Sequence, residues 1–415
     1  MIASRRFTSL VALGAAALFL VCWVLAHTGP LNDEQIVDIP VYERYGNLME
    51  QGEVPYRDFR LEYPPGALPV FVLPSLVTER GNRREYRETF EGLMELFAIA
   101  GIACAAVLLQ GLRATRRRVV ATLVAIAVFP LLLGSVAVTR FDLWPATLVL
   151  GALAALAWER NRVGFGLLGL AIAVKFYPGV IVPLALSYVW KRHGRREALV
   201  CLAVLAGVVL AVFLPFVALS PDGVAHSIGR QLSRPLQIES LASAFFLVAH
   251  QVTGLEIEMR SSHGSQNLAG SGPAVAAVLL SLAQLAVLVW IWLRRPATME
   301  EVLRWSAAAV VAFVGLGKVL SPQFLIWLAP LVPLVGGRRG VRATVALALA
   351  MVLTQLWFPS RYWELAVEFD ALASWLVLAR DLTLIGLLVL LVTPLGVRDA
   401  HWLDRRSPTR PVALD

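Results

Sequence analysis

The sequence predicts an all-α integral membrane protein, a polytopic helical bundle, and three observations support this. Of the 415 residues, 58% are apolar and only 16% are charged, whereas soluble domains contain about 25% charged residues. Apolar runs of helical length recur from Leu10 to Pro394. Lysines and arginines lie in short clusters between these runs, as membrane topology requires. We therefore expect one transmembrane domain over residues 1–397, followed by a cytoplasmic tail at 398–415.

Basic clusters predict the orientation, because lysine and arginine are retained in short cytoplasmic loops. Arg5 and Arg6 place the N-terminus in the cytoplasm, and the apolar stretch 8–26 is long enough for a retained first helix rather than a signal peptide. These clusters account for the net charge of +8, so we expect no nucleic acid partner. The other cytoplasmic clusters are Arg113 with Arg116, Arg117 and Arg118; Arg160 with Arg162; Lys191–Arg196; Arg294 with Arg295; Arg338 with Arg339 and Arg342; and Arg405 with Arg406.

The number of crossings follows from the condition that successive cytoplasmic clusters are separated by an even number of helices. With about 20 apolar residues for each crossing, the sequence predicts about twelve transmembrane helices and both termini in the cytoplasm. The predicted helices are 8–26, 90–111, 119–138, 142–158, 163–175, 178–190, 198–219, 273–293, 303–317, 322–336, 341–357 and 371–394.

Two segments leave an alternative open, because 163–190 and 303–336 could each form one kinked crossing. Each is interrupted near its middle by a lysine and then a proline, with the lysines at positions Lys175 and Lys318. A proline removes a helix donor, and a lysine inside the bilayer costs about 2.5 kcal/mol or more unless it reaches water or a partner. We favour two short helices that meet at an outer cavity in each segment.

Two long loops are predicted on the extracytoplasmic side. The first, residues 27–89, contains the apolar but proline-rich stretch Ala67–Val77, which is too short to span and is expected to form juxtamembrane helices at the interface. The second, residues 220–272, contains the short apolar patch Leu241–Val248. The glycine- and serine-rich stretch Ser261–Gly272 predicts a flexible loop or lid.

Carboxylates are concentrated in the first of these loops, in a chain that is otherwise poor in them. They are Asp33, Glu34, Asp38, Glu43, Glu53, Asp58 and Glu62. Composition alone favours a solvated polar loop over a site, since charged loop residues are usually just exposed. The order of the motifs is more specific. The motifs are Asp38-Ile-Pro-Val-Tyr42, Gly52 to Tyr56, Glu62-Tyr63-Pro64-Pro65, Arg140-Phe141-Asp142, Lys175-Phe176-Tyr177-Pro178, Arg234-Pro235-Leu236-Gln237-Ile238-Glu239-Ser240 and Lys318 to Trp327 with Ser321-Pro322-Gln323.

This series of motifs resembles glycosyltransferase family 87, whose members have the GT-C-type helical bundle and use polyprenyl-phosphate sugars. The resemblance implies that Asp38 is the catalytic general base of an inverting sugar transfer. The physical reason is that an acceptor hydroxyl is a poor nucleophile, so a carboxylate within hydrogen-bond reach removes its proton during attack. Asp33 and Glu34 are the rivals of Asp38, because related families have a paired acid there.

Fixed cations are expected to bind the donor phosphate, which is the leaving group. The candidates are Lys175, Lys318, Arg140 and Arg234. Each lysine could instead be an interfacial anchor, and Arg140 could simply pair with Asp142 at a helix start. The residues expected to bind the sugar or the acceptor are Asp33, Glu34, Glu62, Tyr63, Asp142, Gln237, Glu239 and Gln323. Structural roles remain open for Tyr63, which precedes two prolines, and for Glu239, which could cap its loop.

Aromatic and buried polar residues near the end of the chain receive structural interpretations. We predict an aromatic belt at the membrane interface from four residues, Trp327, Trp357, Tyr362 and Trp363, in preference to sugar stacking. Arg380 and Asp381 in the last helix are expected to form a buried structural pair.

The resemblance implies transfer of a hexose, first of all mannose, from a polyprenyl phosphate to a glycolipid or glycan outside the bacterial cytoplasmic membrane. Transfer of arabinofuranose or another sugar is the alternative within the family, and a transporter or flippase for a lipid-linked sugar is the alternative class, favoured by the broken helices. The sequence contains no GxxxxGK[ST] or HExxH motif, so we expect no nucleotide-sugar donor. We expect metal-independent catalysis without a cofactor by a monomer in the lipid bilayer.

Overall fold

The computed structural model describes residues 1–28 and 37–393, and helices make up 76% of the chain. The first half contains α1 (Arg5–Ala26), α2 (Ile39–Glu50), α3 (Leu68–Val77), α4 (Arg83–Gly111), α5 (Arg116–Leu133), α6 (Ser135–Val138), α7 (Leu143–Ala157), α8 (Asn161–Val174) and α9 (Val182–Leu219). The second half contains α10 (Pro221–Leu232), α11 (Leu241–Thr253), strands β1 (Glu258–Ser262) and β2 (Ser265–Ala269), α12 (Ser271–Trp292), α13 (Met299–Gly315), α14 (Leu325–Leu328), α15 (Gly337–Gln355), α16 (Tyr362–Glu368) and α17 (Ala371–Val392).

Five helical segments within the described residues are long and apolar enough to cross a membrane. They are Arg5–Ala26, Arg83–Gly111, Tyr177–Leu219, Ser271–Trp292 and Ala371–Val392. Shorter apolar helices, among them α7, α8 and α11, lie between them in the chain. The architecture is that of a helical membrane protein, as predicted, whereas the total of twelve crossings and the location of the termini stay predictions.

The two segments with a central lysine and proline are broken, as we preferred. Helix α8 ends at Val174, the next residue, Lys175, has an extended backbone, and a 3₁₀ turn over Tyr177–Ile181 follows. In the second segment α13 ends at Gly315, and the predicted helix 322–336 corresponds to the short apolar helical segment Pro322–Leu334, which is irregular. It consists of the 3₁₀ turns Pro322–Phe324 and Val332–Leu334 on either side of the four-residue α14, because closely spaced prolines remove helix donors.

Helix α9 contains a break inside the predicted cytoplasmic cluster Lys191–Arg196. Gly194 has φ of 85°, in the left-handed region that residues with a side chain rarely adopt. The break lies between the predicted helices 178–190 and 198–219. The basic cluster therefore coincides with a kink in the helix, and the two separate crossings on either side of it stay a prediction.

The predicted outer loops contain ordered secondary structure. The first contains α2 and α3, which agrees with the prediction of helices there. In the second, the predicted flexible stretch Ser261–Gly272 instead contributes to an antiparallel hairpin, in which Glu258 pairs with Ala269. Strand β2 is largely buried, and burial of one strand against the protein fixes a hairpin that its glycine and serine content does not predict.

Packing of the bundle brings the ends of helices that are distant in the chain together. Helix α4 packs on α1 and α7, and α8 packs on α7 and α9. On the other side α17 packs against α11, α13 and α15, and α15 contacts α5, which joins the two halves of the chain. The loop before α7, the end of α8 and the turn after α13 consequently converge beneath α2.

Candidate active site

Asp38 immediately precedes α2 and has a partly exposed carboxylate. Although it occupies the N-cap position of this helix, its side chain makes no capping hydrogen bond. One carboxylate oxygen instead lies 3.2 Å from a terminal nitrogen of Arg140. The other accepts a hydrogen bond of 3.3 Å from the Tyr42 hydroxyl. The carboxylate is therefore held by two side chains while 30% of it remains exposed.

An aromatic cluster fixes α2, and with it Asp38, against the bundle. The ring of Tyr42 stacks on Phe71 at a centroid distance of 4.6 Å and meets Phe141 edge to face at 5.7 Å. Tyr63 contacts Phe141 in the same way at 5.1 Å. Such pairs contribute about 0.5–1.5 kcal/mol each beyond the burial of their area. The cluster is a rigid support for the carboxylate.

Arg140 lies between α6 and α7 and is buried below Asp38. Two residues later Asp142 is completely buried, and its Oδ1 accepts hydrogen bonds from Lys175 Nζ and Trp327 Nε1, both at 2.5 Å. The structure contains two ion pairs here, Asp38 with Arg140 and Asp142 with Lys175, whereas the sequence left open a pairing of Arg140 with Asp142. Charges of alternating sign thus extend from the exposed carboxylate into the bundle.

Lys175 lies in an aromatic cage. Its Nζ is 4.5 Å from the ring centre of Phe141 and 5.2 Å from that of Trp327. Trp327 is in turn stacked between Tyr177 at 4.1 Å and Phe324 at 4.2 Å. These contacts do not fit a lysine that extends to lipid headgroups.

A second group of cations lies at the junction of α10, the hairpin and the turn after α13. Arg234 makes no hydrogen bond or ion pair with any other residue that the structure describes, and its Nε is buried without a partner. Lys318 Nζ donates to the Leu232 carbonyl at 2.8 Å. Burial lowers the pKa of Arg234, an effect opposed by Glu62, Tyr63 and Glu239. Positive charge without a full counter-charge is therefore concentrated here.

Backbone hydrogen bonds hold this second group rigidly. In the segment after Arg234, Gln237 N donates a hydrogen bond to the Lys318 carbonyl at 2.9 Å, and Ile238 N donates one to the Gln266 carbonyl at 3.0 Å. On the hairpin, Leu268 N donates to the Leu236 carbonyl at 2.9 Å. The segment 236–238 consequently acts as a third strand between β2 and the backbone of Lys318.

Glu239 lies in the loop that follows Arg234 and is buried. Its Oε2 accepts a hydrogen bond of 2.6 Å from Gln237 Nε2. Burial raises the pKa of Glu239 to about 8, against the opposing effects of Arg380, Arg234 and Arg140. The two groups of cations lie near each other, because Tyr63 packs on Tyr42 at a centroid distance of 5.9 Å and the preceding Glu62 pairs with Arg230. A carboxyl that is protonated at neutral pH can donate a hydrogen bond as well as accept one.

The last helix supports this loop through a buried pair. Arg380 and Asp381 are both fully buried, and their charged atoms lie 2.6 Å apart, as the sequence predicts. A terminal nitrogen of Arg380 also donates to the Glu239 carbonyl at 2.7 Å. The pair therefore links α17 to the loop of Gln237 and Glu239.

The structure separates the predicted site residues into those it brings together and those it does not describe. Asp33 and Glu34 lie outside the described residues. The four predicted phosphate ligands fall into two pairs: Arg140 and Lys175 each face a carboxylate, whereas Arg234 and Lys318 have none among the described residues. Gln323, in the turn Pro322–Phe324, adjoins the aromatic cage. Glu62 forms an ion pair with Arg230 at 2.8 Å, and the sequence did not single out this arginine.

The predicted aromatic belt is wrong for three of its four members. Trp327, Trp357 and Tyr362 are buried, and only Trp363 is exposed. Trp327 belongs to the candidate site through its hydrogen bond to Asp142. The sequence gave no sign of the hydrogen bond between Trp327 and Asp142, because the two residues are 185 positions apart in the chain.

Comparison with known proteins identifies the family. The model of glycosyltransferase family 87 matches residues 61–322, which is more than half of the chain. The matched region includes every predicted phosphate ligand, whereas Asp38 precedes it. No curated protein matches the chain. The chain belongs to glycosyltransferase family 87 and is a membrane-embedded glycosyltransferase.

Proposed function

We infer that this glycosyltransferase moves a sugar, first of all mannose, from a polyprenyl phosphate to a hydroxyl of a glycolipid or glycan. The reaction takes place on the extracytoplasmic face of the bacterial cytoplasmic membrane and inverts the anomeric carbon. One observation carries the proposal. A partly exposed carboxylate, Asp38, is fixed by Arg140 and Tyr42, and Tyr63, which packs on Tyr42, directly follows Glu62, the ion-pair partner of Arg230 on the helix that precedes Arg234.

Asp38 acts as the general base. The acceptor oxygen attacks the anomeric carbon, its proton passes to the Asp38 carboxylate, and the bond from that carbon to the phosphate oxygen breaks with both electrons on the oxygen. Inversion needs no second carboxylate as a covalent nucleophile. Arg140 and Tyr42 hold the base in place, so little reorganisation is needed when the acceptor binds.

Arg234 and Lys318 bind the phosphate. A phosphodiester donor has one negative charge, and the phosphate monoester that leaves has nearly two, since its second pKa is about 6. Arg234 and Lys318 have no carboxylate partner within residues 1–28 and 37–393, so these two cations match the leaving group better than the intact donor. Only interactions that strengthen in the transition state accelerate the chemical step, and this match supports such a role.

Asp142 and Lys175 position Arg140 rather than contact the substrate. Asp142 is fully buried, and Lys175 is enclosed by Phe141 and Trp327. The sugar and acceptor hydroxyls are bound by the polar groups that remain around the region, namely Glu62, Tyr63, Gln237, Glu239 and Gln323. Membership of a glycosyltransferase family argues against the transporter alternative.

The test offers the purified protein, in lipid nanodiscs, three radiolabelled donors separately, with membrane lipids as acceptor: polyprenyl-phosphate mannose, polyprenyl-phosphate arabinofuranose and a nucleotide sugar. We expect transfer from the mannosyl donor, inverted configuration in the product, and no loss of rate in a metal chelator. Transfer from the arabinofuranosyl donor alone would mean that the transferred sugar is arabinofuranose and not mannose. Transfer only from a nucleotide sugar would refute the proposal.

The phosphate site is tested by replacing Arg234 or Lys318 with methionine. Each variant is expected to bind the donor at least about tenfold more weakly, as the loss of one charge-assisted hydrogen bond of roughly 1.5–3 kcal/mol implies. Arg260→Met is the matched control, because this exposed arginine lies on the same hairpin and pairs with Glu258. Donor affinities equal to that of Arg260→Met would remove both cations from the site.

A further inference from the structure

The end of α12 that is remote from the hairpin carries a group of arginines. Helix α12 has 22 residues and is therefore about 33 Å long, with the hairpin before it and Arg294 after it. Arg304 in α13 and Arg339 in α15 both donate to the Thr393 carbonyl, at 2.9 and 2.7 Å, so their guanidinium groups are neighbours. The clusters that contain Arg294 and Arg339 predict that this side of the membrane is cytoplasmic.

Two tryptophans connect Arg294 to Arg304. The rings of Trp290 and Trp305 meet edge to face at a centroid distance of 6.1 Å. Arg294 Cζ lies 3.9 Å from the ring centre of Trp290 and 5.6 Å from that of Trp305. Arg304 Cζ lies 4.6 Å from the ring centre of Trp305. The two guanidinium groups are therefore held around one aromatic pair by cation–π contacts, which use none of their N–H donors.

The carboxylates at the start of α13 are engaged with other groups. Glu300 forms an ion pair with Arg118, and Glu301 accepts two hydrogen bonds from the backbone that precedes the helix. Within residues 1–28 and 37–393, neither Arg294 nor Arg304 forms an ion pair. Both arginines therefore attract an anion.

The hydrogen bonds of Arg304 leave one edge of its guanidinium available. Its Nε donates to the Leu391 carbonyl at 2.7 Å, and Nη2 donates to the carbonyls of Val392 and Thr393 at 3.3 and 2.9 Å. These bonds fix the group on the end of α17. Its Nη1 donates to no acceptor in the described part of the chain, so this nitrogen can bind a ligand.

An exposed apolar surface adjoins the arginines. Only 17% of the apolar stretch of α12 is buried within the protein. Leu282, Leu285, Val289 and Leu293 are exposed, and their spacing of three and four residues places them on one face of the helix. This face ends beside Arg294. A ligand that contacts both the face and the arginine is therefore an amphiphile with an anionic head.

We propose that Arg294 and Arg304 bind the headgroup of an anionic phospholipid, whose acyl chains lie along the exposed face of α12. The phosphate accepts hydrogen bonds from Arg294 and from Arg304 Nη1, because guanidinium donors match the geometry of phosphate oxygens. Basic sites between the ends of transmembrane helices bind anionic lipids in this way. A zwitterionic lipid has the same phosphate, but its own ammonium group offsets the attraction. This lipid site lies beyond the proposed function, at the other end of α12 from the hairpin.

Native mass spectrometry of the full-length protein in detergent micelles provides the test. The protein is titrated with dioleoylphosphatidylglycerol, which is anionic, or with dioleoylphosphatidylcholine, which is zwitterionic. Wild type is expected to bind the anionic lipid about tenfold more tightly, and Arg294→Gln should weaken this binding about fivefold. Trp290→Leu retains every charge but removes the ring beneath Arg294, so it should weaken binding about threefold.

Arg338→Gln is the matched control, because it removes the same charge from an exposed arginine beside Arg339. It should change the affinity for the anionic lipid much less than Arg294→Gln. Equal losses in these two variants would mean that a diffuse positive surface attracts the lipid, and would overturn the site. Equal affinities of wild type for the two lipids, or unchanged binding by a folded Arg294→Gln variant, would also overturn it. An excess of inorganic phosphate should not displace the anionic lipid; displacement would assign the arginines to a free anion instead.

Discussion

Replacement of Lys175 by methionine separates a lysine that supports the site from one that binds phosphate. In the structure Lys175 Nζ lies 2.5 Å from Asp142 Oδ1, Asp142 is fully buried, and its Oδ2 has no hydrogen-bond partner. After the substitution only Trp327 Nε1 would support the carboxylate. Removal of one partner of a buried pair costs about 3–5 kcal/mol, because an uncompensated charge remains.

Lys318→Met is the matched comparison, since Lys318 Nζ donates only to the carbonyl of Leu232. Loss of this single hydrogen bond costs about 1 kcal/mol. Thermal unfolding of both variants in detergent micelles, followed by tryptophan fluorescence, should show a much larger loss of stability for Lys175→Met. Donor affinity should fall mainly in Lys318→Met.

A double variant, Asp142→Asn with Lys175→Met, completes the cycle. It removes the unpaired charge, so it should recover most of the stability that Lys175→Met loses. If Lys175→Met unfolded like wild type and lost only donor affinity, the assignment of Lys175 as a supporting residue would be incorrect.

Three further substitutions test other contacts of the site. Glu239→Gln should abolish a pH dependence of stability. The pKa of Glu239 in the folded protein is about 8, above its ordinary value, so the free energy of unfolding of the wild type should fall as the pH rises from about 4.5 to 8. An equal fall in the variant would refute this. Arg380→Gln should cost about 3–5 kcal/mol by leaving Asp381 buried and unpaired, which thermal unfolding would detect; a wild-type melting temperature would contradict it. Trp327→Phe retains the ring stacking but loses the hydrogen-bond donor to Asp142. We therefore expect the free energy of unfolding to fall by about 1–3 kcal/mol and sugar transfer to be slower in a single-turnover assay. Unchanged values in both measurements would exclude this contact from the site.

The helical bundle was predictable because its signals are local in the chain. Long apolar runs, basic clusters and the proline after Lys175 each act within one or two turns of helix. The break at Gly194 inside a basic cluster likewise follows from neighbouring residues. The family was predictable for a similar reason, since the resemblance rests on short motifs that follow one another along the chain, and the family model matches residues 61–322.

The pairing of charges was not predictable, because it depends on which helix ends meet. Arg140 precedes Asp142 by two residues, yet it pairs with Asp38, and Asp142 pairs with Lys175. Arg230 gave no signal at all, since its partner Glu62 is far away in sequence. The sequence therefore indicated a set of charged residues, and the tertiary structure divides the set into supporting and unpaired members.

The hairpin and Trp327 were missed for a different reason. Serine and glycine suggest a loop, but burial of β2 and its bonds to the segment 236–238 stabilise a hairpin. A tryptophan near a membrane interface suggests an anchor, but Trp327 is stacked between Tyr177 and Phe324. In both cases tertiary contacts override the local preference.

Asp38→Asn in a single turnover tests the central claim most directly. The substitution retains the size and a hydrogen-bond acceptor beside Arg140, so the protein should fold and bind the polyprenyl-phosphate sugar with wild-type affinity. The rate of sugar transfer from bound donor should fall by about 10²–10⁴, the contribution of general base catalysis, whereas the control Asp58→Asn, in the same loop and paired with Arg57, should transfer sugar at the wild-type rate. A wild-type rate in Asp38→Asn would mean that another group removes the proton.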